Sequence, residues 1–145
     1  LTNGEPFYEG QIGDHRDQTS SVQAILDLYG PTNLLTILDQ SSIHVYKVRA
    51  PALALLLGGD VGAVPDLARQ ASPVHQVDHT DPPLLIIHGD QDLQVPINQS
   101  HELIGAYESH GLRATFEVVH GGGHGGMNSP VFLDEMNAFL SALFR

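Results

Sequence analysis

The sequence contains no cysteine, which excludes disulfides, thiolate metal sites and cysteine nucleophiles and leaves the compartment open. It is also poor in positive charge. Six lysines and arginines stand against seventeen aspartates and glutamates, a formal net charge of −11. A surface of that sign repels nucleic-acid phosphates and anionic lipid, so neither partner is expected. Long apolar runs are missing as well: the longest, Pro51-Ala-Leu-Ala-Leu-Leu-Leu57, is far too short to span a bilayer and reads as local packing. No signal-peptide pattern opens the chain, which starts on Leu1 rather than methionine and reads as processed or truncated. Internal repeats and low-complexity tracts are absent.

The 145 residues, 41% of them apolar, suffice for one domain with a real core. Residues 1–20 are polar and glycine-rich and predict a loop. Val22–Tyr29 is an apolar run closed by Gly30-Pro31, which predicts a buried strand ending in a turn. Residues 32–80 carry short helical patterns broken by Pro51, Gly58-Gly59, Pro65 and Pro73, as in a cap-like excursion. Leu84–Ile87 is continuously apolar and predicts a strand buried on both faces. Asn98 to His110 is helical, with Leu103, Ile104 and Tyr107 on one face and Gly111 as the stop. Ala114–Val119 is β-branched and aromatic, hence a third strand. Ser129-Pro130 predicts an N-cap and first turn for a last helix, whose apolar face carries Phe132, Met136, Phe139, Leu140 and Leu143. Strands alternating with helices imply an α/β fold with a parallel sheet, its first strand left as an open edge.

Two glycine-bearing loops follow the second and third predicted strands: His88-Gly-Asp-Gln-Asp92-Leu-Gln-Val-Pro96 and His120-Gly-Gly-Gly-His124-Gly-Gly126. Functional groups of parallel sheets gather at the carboxyl ends of strands, so an acid from one loop and a histidine from the other would share a rim. A carboxylate there can fix an imidazole's tautomer and stabilise the imidazolium during proton transfer. Asp90 and Asp92 compete for the acid, and His120 and His124 for the histidine. Nine histidines raise the question of a metal, but the His-Glu-x-x-His pattern is absent, and His120 and His124 lie on a loop rather than one helix face. No metal site is expected. His88, at the strand end, reads as structural and bonded to nearby backbone.

The acid loop His88–Pro96 resembles that of α/β-hydrolases of the acetylesterase and carboxylesterase (lipase/esterase) type, and Gly121-Gly-Gly-His-Gly-Gly126 resembles their histidine loop. Tyr29-Gly-Pro-Thr-Asn-Leu34, Pro65–Pro73 and Asp81–Gly89 are further matches in the family's order. Acid before histidine also follows the family's chain order of nucleophile, acid, histidine. The resemblance implies that residues 1–145 are the C-terminal portion of one hydrolase domain: a loop over 1–20, a cap-like insertion over 32–80, and the acid- and histidine-bearing part over 82–145. It implies Asp92, three residues before Val95-Pro96, as catalytic acid and His124 as catalytic base.

The family's Gly-x-Ser-x-Gly nucleophile elbow and its oxyanion loop are missing from these residues; no serine has glycines two positions away on both sides. The expectation is therefore a serine ester hydrolase acting on small acyl or acetyl esters, without metal or organic cofactor, in which this chain alone is inactive. Two alternatives stand beside it. One is a fragment of a prolyl oligopeptidase-like serine peptidase. The other is a non-catalytic module or half of a split protein, stabilised by pairing with a second copy or with a missing N-terminal half.

Overall fold

The computed structural model describes residues 8, 10, 12–15, 17–126 and 130–144 and, at 130 and 131, the backbone alone. Three parallel strands, β1 (Ile25–Leu28), β2 (Leu84–Gly89) and β3 (Ala114–Val119), lie in spatial order β1-β2-β3. Between β1 and β2 run α1 (Ile37–Gln40), α2 (Ile43–Leu57), α3 (Pro65–Gln70) and a 3₁₀ turn over Pro73–His75. Helix α4 (Asn98–Ser109) joins β2 to β3, and α5 (Pro130–Leu143) follows.

The fold rests on β2. Each of its six residues is buried, as its unbroken apolar run predicts. Alternation sends Leu84 and Ile86 to one face, against Val77 and the α4 residues Leu103 and Tyr107. Leu85 and Ile87 point to the other face, against Phe139, Phe132, Met136, Leu140 and Leu143 of α5. Burial of a side chain of this size stabilises the fold by roughly 1.5–3 kcal/mol, so both helices are anchored on one strand. Helix α4 closes as expected. Gly111 takes φ +66°, and the N–H groups of Gly111 and Leu112 return to the carbonyls of Glu108 and Tyr107. The proposed N-cap Ser129 lies outside the described residues.

Strand β1 is shorter and less buried than the run Val22–Tyr29 predicts. It begins at Ile25, whose N–H donates to the carbonyl of Pro83, and Val22 is exposed. The partner segment explains the stop: Pro82 and Pro83 have no N–H to continue the ladder. Among the described residues β1 pairs only with β2, so its outer edge is open.

The excursion differs from expectation at Pro51. Helix α2 runs through it rather than ending there. Pro51 and Lys47 are both exposed, so water can take the Lys47 carbonyl that residue 51 cannot donate to. The other punctuation holds: Gly58 ends α2 at φ +76°, and Pro65 and Pro73 each open a helical turn. Leu34, Ile37, Leu53, Leu57 and Ala68 make a second core beneath the excursion. A polar tie holds it to α4. The Gln99 side-chain oxygen accepts from the N–H groups of Thr32 and Asn33 at 2.9 and 2.7 Å, and within the excursion itself Ser72 Oγ accepts from Leu34 N–H. Of the loop predicted over 1–20, the described residues carry turns and bends, with neither helix nor strand.

Candidate active site

Gly89 and Val119 are register partners at the carboxyl ends of β2 and β3, so the acid loop and the histidine loop leave the sheet side by side. Their backbones touch. Gln91 N–H donates to the Gly122 carbonyl at 2.9 Å and Asp90 N–H to the Val119 carbonyl at 3.1 Å. A Cβ on Gly89 would stand 2.2 Å from the Gly122 oxygen, so only glycine permits this approach. The glycines of the histidine loop thus bring its backbone against the acid loop, and Gly121 adopts φ +74° to make the turn.

This docking forms two Asp–His pairs. Asp92 Oδ2 lies 2.8 Å from His124 Nδ1, with the Asp92 side chain fully buried and the His124 side chain 27% exposed. Asp90 Oδ2 lies 3.0 Å from His120 Nδ1, with the His120 side chain 86% exposed. The two rival carboxylates and two rival histidines of the sequence therefore sort into separate pairs.

Asp92 is held from several sides. Its Oδ1 accepts from the N–H groups of Gln94 and Val95 at 2.7 and 2.9 Å, and its Oδ2 also lies 3.2 Å from His88 Nε2. Burial pushes this carboxyl up. The Val95 N–H, the His124 ring and the Gln94 N–H outweigh burial, and it ends below the ordinary carboxylate value. With Nδ1–H donated to Asp92, the His124 ring presents Nε2 as its free base. Asp90 is also lowered, by His120 and then by the Gly121 N–H at 2.7 Å, but its histidine is exposed to solvent.

Sequence reasoning singled out neither Tyr29 nor the bonding of His88 to the acid. Tyr29 follows the last residue of β1 at φ +46°, an unusual conformation for a bulky residue, and its ring packs on His124 with centroids 4.4 Å apart. The available signal was its place just before Gly30-Pro31, where a chain leaving a strand must turn. His88 is completely buried and bonds the Val95 carbonyl, as its structural reading anticipated, and it also reaches Ser100 Oγ.

A cavity of about 390 Å³ lies between α2 and the acid loop, lined by His44, Val45, Val48, Arg49, Ala52 and Gln94. Burial lowers the Arg49 pKa, the charge of Asp92 acting the other way. On β1, Asp27 Oδ2 is buried without a hydrogen-bond partner among the described residues. Burial pushes that carboxyl up against the Gly30 N–H and the nearby His88. Among the described residues no three His, Asp or Glu side chains converge as metal ligands do, and no helix is long and apolar enough to cross a membrane.

A three-stranded parallel sheet with a helix packed on each face is the fold of esterase-like α/β-hydrolases. The BD-FAE family model matches residues 1–107, and the chain belongs to that family. A truncated form of a carbohydrate esterase from gut microbiota is 34% identical, with a TM-score of 0.80 over 93% of this chain and 47% of that one. A bifunctional GH43-CE protein of Bacteroides eggerthii is 26% identical, with a TM-score of 0.73 over 91% of this chain and 18% of that one. Esterase LipC of Mycobacterium tuberculosis is 26% identical over 104 residues, 72% of this chain and 25% of that protein. The chain thus spans a quarter of the curated relative and about half of the carbohydrate esterase structure.

Proposed function

We propose that these residues form the C-terminal portion of a serine ester hydrolase domain acting on small acyl or acetyl esters. His124 is the general base and Asp92 its orienting acid. The observation that carries this is the 2.8 Å contact between His124 Nδ1 and a fully buried Asp92. The carboxylate fixes the Nδ1–H tautomer, His124 Nε2 takes the proton of an attacking serine, and Asp92 stabilises the imidazolium that results. The nucleophile and oxyanion donors come from outside these residues, so this chain by itself is inactive. The remainder that relatives carry beyond the stretch this chain matches is where they are sought, paired through the open edge of β1. The cavity beside Gln94 is large enough for a small ester's side group, since ligand pockets start at about 300 Å³.

Intact mass after treatment with a fluorophosphonate, which labels only an activated serine, tests the proposal. No label on this chain, together with one label on a longer or co-purifying polypeptide that hydrolyses p-nitrophenyl acetate, is the expected result. A single label on this chain alone would overturn the placement of the nucleophile. Turnover of an anilide in preference to the matching ester would favour the peptidase alternative instead.

A further inference from the structure

We propose that His88, set in place by Ser100, is the positioning residue that closes the Asp92 turn and aims its carboxylate at His124. This rests on the reading of Asp92 and His124 as acid and base and adds two residues that act through them.

His88, the last residue but one of the buried strand β2, has no exposure, and both of its ring nitrogens are engaged. Nε2 faces two acceptors, the Val95 carbonyl at 2.9 Å and Asp92 Oδ2 at 3.2 Å. Neither has a proton to give, so Nε2 carries the hydrogen whatever happens at Nδ1. That N–H is directed at the Val95 carbonyl, while the Val95 N–H donates to Asp92 Oδ1. Val95 is therefore held on both sides, by His88 at its carbonyl and by Asp92 at its amide. The ring's rotation is fixed in turn by Ser100 Oγ, 2.6 Å from Nδ1 and completely buried in the first turn of α4. A continuous chain results: Ser100, His88, the Val95–Asp92 turn, His124. A buried strand end can be filled by an apolar ring at no polar cost. Placing an imidazole there, with a donor aimed at the acid loop, serves orientation as well as packing.

The test compares His88→Phe, which keeps the ring and removes the donor, with His88→Gln, whose side-chain amide can reach the Val95 carbonyl. Amide exchange at Gln94 and Val95 and the low-field Nδ1–H resonance of His124 are read by NMR on the full chain. In His88→Phe we expect exchange at Gln94 and Val95 to quicken about tenfold, the scale of one lost hydrogen bond, and the His124 resonance to broaden away. In His88→Gln both should be largely retained, which a packing role would not predict. Unchanged exchange and an unchanged His124 signal in a folded His88→Phe would overturn the positioning role and leave the Asp92–His124 pair standing. Absence of the His124 signal in the unsubstituted chain would overturn the pair itself, and with it this inference. Should His88→Phe fail to fold, Ser100→Ala decides: a shifted His124 signal supports the chain of contacts, and an unmoved one contradicts it.

Discussion

The Asp90–His120 and Asp92–His124 pairs bridge the same two loops with similar contacts, 3.0 and 2.8 Å, and differ in their surroundings. Asp90 accepts one backbone N–H, from Gly121, and faces a histidine in open solvent. Water screens that contact and competes for both partners, so it ties the two loops loosely. Asp92 is shielded from water: its Oδ1 receives two backbone N–H groups, and its Oδ2 faces the imidazoles of both His124 and His88. Its carboxylate cannot rotate away without leaving buried donors unsatisfied. Two residues of sequence separate a surface latch from a preorganised carboxylate, because the acid loop turns inward at Asp92, which is buried with Val95, while Gln91, Leu93 and Gln94 stay exposed.

The two pairs should differ most in catalysis, in the protein that carries the nucleophile. Asp92→Asn should lower kcat for p-nitrophenyl acetate by about 10⁴, the scale of losing a triad carboxylate. Asp90→Asn should stay within about threefold, as loosely tied surface groups do. Equal losses would erase the distinction. Next comes the docking that makes both pairs. Gly89→Ala forces a Cβ into the Gly122 carbonyl and should cost about 1–3 kcal/mol, seen as a fall of several degrees in Tm. Smaller again, Tyr29→Asn keeps a residue that tolerates a positive φ and removes the ring on His124. Turnover should drop about tenfold while stability moves by no more than about 1 kcal/mol, measured by parallel kinetics and thermal unfolding.

The smallest effects lie in pH. Asp92 is held below its unfolded value of about 3.9, so its stabilisation is complete above that value and is lost as pH falls through the lower folded pKa. Acid unfolding of Asp92→Asn should therefore lack part of the wild-type slope below pH about 4. Asp27 has the opposite sign. Its folded pKa is raised, so its contribution is present below the unfolded value and is lost as pH rises through the folded one. Asp27→Asn should then be more stable than wild type at pH 7 and no more stable under acid, as read by denaturant titration.

Much of this arrangement was legible in the sequence. The unbroken run Leu84–Ile87 marked the doubly covered strand, and turn glycines after it and after Val119 marked the two loops. Choosing Asp92 and His124 over Asp90 and His120 drew on family resemblance, because composition gives both aspartates and both histidines the same local chemistry. Hidden from the sequence were the features set by tertiary contact. Val22–Tyr29 reads as a full strand until Pro82-Pro83 of the neighbouring segment removes its partners. Pro51 reads as a break until the exposure of its turn lets water take the orphaned carbonyl. The bond from His88 to Ser100 crosses from strand to helix, and no spacing rule of either element announces it.

Asp92 and His124, rather than Asp90 and His120, form the preorganised pair. A long-range ¹H–¹⁵N spectrum of the histidine rings in the unsubstituted chain tests this assignment most directly. His124 should be fixed as the Nδ1–H tautomer with a slowly exchanging low-field proton, and His120 averaged between tautomers without one. A tautomer-averaged His124, or the protected proton on His120 instead, would contradict it.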